Sequence, residues 1–191
     1  MKTFFKMGTV LNISAQDLDH ALVDDLKEQF GNAKVEIKVH DIPDASGMLT
    51  ELDFWAQINQ LDWTKNDNES VIEPIVAALA QMPVANIYQF QDLLSEKLWK
   101  LDTRGHAAVF TENDDDSLSV DDFLYARCGV VANGKDFYKK VLENSNEMPL
   151  DITFSPLLRI AKKAYERKTG KKMTIVPAFN YETYSNQQGW Q

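Results

Sequence analysis

The chain has a single cysteine, Cys128, among 191 residues. A lone thiol cannot close an internal disulfide, and with only three histidines, His20, His40 and His106, the chain lacks the ligands for a structural zinc site. Long apolar runs are missing too. Charges punctuate every segment before the roughly 20 residues needed to cross a bilayer are reached, and Lys6 and Asn12 interrupt the apolar start around Phe4 and Phe5, so no signal peptide is expected. Positive charge is scarce: 20 Lys and Arg against 29 Asp and Glu leave a net charge of −9, which repels phosphate backbones. A cytoplasmic chain with no membrane segment, no nucleic-acid partner and no cofactor is the expectation.

What remains is an ordinary globular composition, 44% hydrophobic and 26% charged, enough to build a core. From Thr3 to Ile13, Phe5, Met7, Leu11 and Ile13 alternate with Lys6, Gly8 and Asn12, the period of a half-buried strand. Ser14 stands as an N-cap before Leu18, Ala21, Leu22, Leu26 and Phe30 at helical spacing, and Gly31 ends that run. Val35, Ile37 and Val39 alternate again, and Met173 to Val176 is a candidate third strand. The fold class expected is α+β: a small β-α-β unit over residues 1–42, a linker around Pro43 to Gly47, and a mainly α-helical domain over 48–191.

Within that helical domain the periodicity is continuous. Thr50 caps a helix with Phe54, Trp55, Ile58 and Leu61; Ser70 and Glu73 form a capping box before Val71, Ile75, Val76 and Leu79; Pro83 opens a long helix ending near Asp102. Ser119 caps a helix closed by Asn133 and Gly134, Phe137 to Leu142 form a shorter one, and a last helix carrying Leu157 to Tyr165 ends at Gly170.

Chemistry is thinly signalled. Two acidic stretches approach a calcium loop. Counted from Asp114, Ser119 replaces the turn glycine and Tyr125 the bidentate glutamate; counted from Asp62, Glu73 falls at the twelfth position but Asp67 replaces the glycine. A solvated loop and a helix cap are favoured for the two. Cys128 lies among Ala126, Val130 and Val131, the setting of a packed thiol and not of a nucleophile. Trp55, Trp63 and Trp99 read as core anchors. The group with most chemical content is Asp102, Arg104, His106, Tyr125 and Arg127. The arginines suit a carboxylate or phosphate, and His106 suits proton transfer; the bland reading is inter-helix salt bridges with a satisfied histidine.

The runs Leu52-Asp53-Phe54-Trp55, Tyr88-Gln89-Phe90, Leu98-Trp99 and Asp121 to Arg127, with Gly134, Phe137, Tyr138 and Ala164 to Lys171, resemble a bacterial family. It is the family called domain of unknown function 4240, and the resemblance spans roughly Leu52 to Lys172. The resemblance implies a compact helical domain and no established activity.

Two readings of function follow. The first is a non-catalytic protein-binding or regulatory module, immunity-like in one version, whose acidic surface suits a basic protein partner. The second is an enzyme or small-ligand protein built on the Asp102, Arg104, His106, Tyr125 and Arg127 group.

Overall fold

The computed structural model describes residues 10–11, 13–14, 17–31, 33, 35, 47–112 and 118–191. The chain divides into two compact units, Met1–Ala45 and Ser46–Gln191. The first contains α1 (His20–Phe30). The second contains α2 (Glu51–Ile58), α3 (Asn68–Gln81), α4 (Val84–Lys100), α5 (Arg104–Phe110), α6 (Val120–Ala132), α7 (Lys135–Glu143) and α8 (Ile160–Thr169).

The expected α+β class is overturned: among the described residues there is no strand, and no β-α-β unit is present. Val10, Leu11, Ile13 and Val35, the described members of the first two expected strands, are irregular and exposed, and the remainder of those strands lies outside the described residues. Met173 to Val176 is described and is also irregular, with Ile175 and Val176 exposed. Alternation marks two faces of an extended segment, but a strand exists only where a second strand accepts its N–H and C=O groups.

Caps set the helix starts. Asp19, not Ser14, caps α1 by accepting from the Leu22 N–H at 2.9 Å. Thr50 and Asp53 form a reciprocal capping box on α2. α3 starts a turn earlier than expected, because Asp67 accepts from the Ser70 N–H at 2.9 Å, leaving Ser70 inside the helix and Glu73 free for another role. Pro74 sits in α3's second turn. Ser119 caps α6, with Asp121 and Asp122 in its first turn where acidic groups favour the dipole. Gly170 closes α8 in the left-handed conformation (φ 68°, ψ 8°).

The second unit packs around one apolar core. α8 lies against α3 and α4, α6 against α4 and α7. Phe54, Ile72, Ile75, Leu79, Phe90, Leu94 and Phe123 are fully enclosed. Phe54 meets Trp55 edge-on at 5.0 Å and Phe90 at 5.1 Å between ring centroids, within the range where aromatic geometry adds to area burial. Gly129 on α6 is required by proximity, since a β-carbon there would stand 2.8 Å from the Ile152 carbonyl oxygen. On the surface, Arg167 of α8 holds Glu73 of α3 with two bonds of 2.7 and 2.8 Å, and Arg159 and Lys163 share Glu69 at 2.8 and 2.7 Å. Trp63, expected in the core, is instead 56% exposed against Phe154.

Candidate functional site: a buried charge pair under a C-terminal strap

Asp102 and Arg127 are both fully buried. Asp102 follows the last turn of α4, and Arg127 projects from the middle of α6, so the packing of α4 on α6 brings them together, Arg127 Nη1 lying 3.9 Å from Asp102 Oδ1. At that distance they share charge without a direct bond. Their hydrogen bonds go elsewhere, and most go to one stretch of chain, residues 180–190.

Asp102 Oδ1 accepts from the Tyr184 N–H at 3.2 Å and the Trp190 indole N–H at 3.0 Å; Oδ2 accepts from the Asn186 N–H at 3.0 Å, with the Ser185 hydroxyl 3.2 Å away. Arg127 Nη1 donates to the Leu98 carbonyl at 2.9 Å and the Tyr181 carbonyl at 3.1 Å, and Nη2 donates to Thr183 Oγ1 at 2.9 Å. The Thr183 hydroxyl in turn donates a hydrogen bond to the Val120 carbonyl at 2.7 Å. Beneath the guanidinium lies the Phe123 ring, 4.8 Å from the Arg127 Cζ to the centroid, a cation–π contact in a dry setting. Of the Arg127 nitrogens, Nε alone is buried without a partner.

The strap is anchored further along. Asn186 Nδ2 donates to the Trp99 carbonyl, the Arg104 N–H to the Gly189 carbonyl at 2.9 Å, and Phe179 packs on Trp99 at 5.2 Å. Gly189 allows the close approach, since a β-carbon there would lie 2.8 Å from Asn186 Nδ2 and 3.0 Å from the Asp102 carbonyl oxygen. Tyr184 takes a positive φ of 72°, a conformation rare for a non-glycine residue.

His106, in the first turn of α5, is also buried and satisfied. Nε2 lies 3.0 Å from the Val141 carbonyl and Nδ1 2.7 Å from the Thr103 hydroxyl. A carbonyl only accepts, so Nε2 carries a proton and donates to Val141; in the neutral ring Nδ1 then accepts from the Thr103 hydroxyl. Burial pulls its pKa below the ordinary value of 6.5; the bond to Val141 opposes this, and the Arg127 charge reinforces it.

The five residues singled out from the sequence therefore separate by depth. Asp102, His106 and Arg127 are inside, each bonded to the chain itself, while the Arg104 side chain is exposed and Tyr125 is half-buried, its carbonyl accepting from the Phe154 N–H. Two surface depressions, one along Val109 and Asn146 to Asp151 and one between α2, α4 and α7, are lined by other residues. The strap and α5 were not anticipated. α5 carried one signal, Thr103 ahead of a short apolar run; the strap carried none, because its bonds to Asp102 span more than 80 residues and leave no period.

The other candidates are spoken for as well. Asp62 accepts from the Thr64 N–H at 3.1 Å and also from its hydroxyl, Asp67 caps α3, and Glu73 binds Arg167, so the second calcium-like stretch is a turn, a cap and an ion pair. Residues 113–117 of the first stretch lie outside the described residues. Cys128 is fully buried, and burial pushes its thiol up to about 12 despite the nearby Arg127 charge.

The chain matches the family model described as protein of unknown function (DUF4240) over residues 49–167. It belongs to that family. The match runs from α2 into α8 and stops before the strap. No curated protein and no solved structure matches the chain.

Proposed function

We propose that the protein is a non-catalytic protein-binding or regulatory module that takes a basic protein partner, with its first unit supplying the contact. The observation that carries this reading is α1. Leu18, Leu22, Leu26 and Phe30 recur every four residues, yet no residue of α1 is buried; Leu18 and Phe30 are exposed and Leu22, Val23 and Leu26 only half-covered. Asp24 and Glu28 fall on the opposite side of the helix. An apolar stripe backed by carboxylates is the form that docks into a groove rimmed with Lys and Arg, the stripe supplying affinity and the charges steering the encounter. The chain's net charge of −9 points the same way. An immunity-like protein that neutralises a basic enzyme is one version of this role.

The rival reading, an enzyme or small-ligand site on Asp102, Arg104, His106, Tyr125 and Arg127, has the geometry against it. The three buried members have their polar side-chain atoms, Arg127 Nε excepted, committed to the strap, α4, α7 and Thr103, and a substrate would have to displace those bonds.

The test is retrieval from a lysate of the source cell with the full chain and with a Leu22→Asp, Leu26→Asp variant. A basic protein retained by the native chain, lost from the variant and weakened by salt supports the reading. Equal retention by both chains, or none by either, overturns it.

A further inference from the structure

A groove of about 170 Å³ lies between α2, α4 and α7. On a chain of net charge −9 it is lined by four lysines, Lys97, Lys100, Lys135 and Lys139, with one carboxylate, Glu51. Glu96 and Glu143 pair with Lys100 and Lys139 from the rim at 2.6 and 3.7 Å, and with both counted the groove still carries more positive than negative charge. The lysines have separate origins. Lys135 and Lys139 are one turn apart on α7, and Lys97 and Lys100 are one turn apart on α4.

Its floor is built. Lys97 is a lysine only 3% exposed, and Trp55, 2% exposed, packs its ring 5.2 Å from that of Tyr138 to form an apolar wall with Leu142. Burying an ammonium is costly unless an anion meets it. Here Lys97 Nζ, at 3.1 Å, and the Trp55 indole N–H, at 3.3 Å, converge on one oxygen, Oε1 of Glu51. A second carboxylate, Glu96, reaches Lys97 at 3.3 Å. The two donors are fixed in the core, whereas the Glu51 side chain is 54% exposed and belongs to the first residue of α2, where it can swing into water.

We infer that this groove is a binding site for a compact organic oxyanion with two or more negative groups, in which one oxygen of the ligand replaces Glu51 Oε1 between Lys97 and Trp55. The Glu51 carboxylate marks the position: the chain's own oxyanion stands where two rigid donors meet. Lys100, Lys135 and Lys139 lie around that point to receive the ligand's remaining charge. A groove of this size, with its lysines one turn apart on each of two helices, suits a small ligand such as a di- or tricarboxylate or a small phosphate ester. Burial raises the Glu51 carboxyl, but the bonds from Lys97 and Trp55 and the charges of Lys97 and Lys100 outweigh it and hold it below the usual carboxylate range. The spot therefore favours an ionised oxygen. This inference is independent of a protein partner at α1 and stands or falls without it.

Isothermal titration of the full chain with citrate, succinate and inorganic phosphate tests it, and the three probes separate carboxylate from phosphate preference. The expected result is saturable one-to-one binding of at least one probe, weakened about tenfold in a Lys135→Ala, Lys139→Ala double variant whose thermal midpoint matches the native chain. Glu51→Gln supplies a sign that a structural ion pair would not give. With the competing carboxylate neutralised, the same probe binds about threefold more tightly. No saturable binding by any probe, equal affinity in the double variant, or weaker binding in Glu51→Gln would each overturn the assignment.

Discussion

Asp102 accepts from two backbone N–H groups and an indole while facing a buried guanidinium. Asp102→Ala leaves Arg127 uncompensated in the core and releases the strap, and the expected loss is about 3–5 kcal/mol in urea unfolding. His106 adds a pH dependence whose sign is fixed by its lowered pKa. The unfolded imidazole takes up a proton near 6.5 while the native ring resists it, so stability is full above that pH and declines as pH falls below it. Urea midpoints measured at about pH 7.5 and about pH 5.5 should differ in that direction, and His106→Gln should flatten part of the slope. A midpoint that rises on acidification would contradict the neutral tautomer.

At the level of elements, two ties of very different strength hold the second unit. The clasp of Arg167 on Glu73 has ideal bidentate geometry but half-exposed side chains, so Glu73→Gln should cost less than about 1 kcal/mol. The strap is buried, and Gly189→Ala, which sets a β-carbon against Asn186 and the Asp102 carbonyl, should cost about 1–3 kcal/mol by overpacking. Thermal unfolding of the two variants beside the native chain checks the ranking. The legibility of the elements follows the same division. α2, α3, α4, α6, α7 and α8 were readable because each buries a stripe at helical spacing and carries a local cap or stop, Thr50, Pro83, Ser119 and Gly170 among them. Met173 to Val176 misled because alternation is a local property and pairing is not. The capping box at Ser70 misled because Asp67, three residues earlier, offered the same carboxylate-to-backbone bond and won. Of the candidate site, the sequence identified Asp102, His106 and Arg127 as residues of unusual chemistry. It did not disclose that most of the partners of Asp102 and Arg127 lie in residues 181–190, since Tyr184, Ser185 and Asn186 carry no pattern that points to Asp102.

For the molecule as a whole, the second unit, Ser46–Gln191, extends past the family match over 49–167 by residues 168–191, which include the strap. The buried pair Asp102 and Arg127 lies inside the matched region, and most of what satisfies it lies outside. Cys128, enclosed beside Arg127 with its thiol pushed up to about 12, reports on the integrity of this core. An alkylating reagent should leave the native chain unmodified and label it fully in denaturant, and rapid labelling of the native chain would mean that α6 opens locally. No described helix is long and apolar enough to cross a membrane. The buried charges hold the C-terminal strap in place, and backbone hydrogen exchange at Tyr184 and Asn186 tests this most directly. In the native chain both amides should be protected; in Asp102→Asn they should exchange far faster while the amides of α3 keep their protection. Fast exchange at both positions in the native chain, or unchanged protection in the variant, would contradict it.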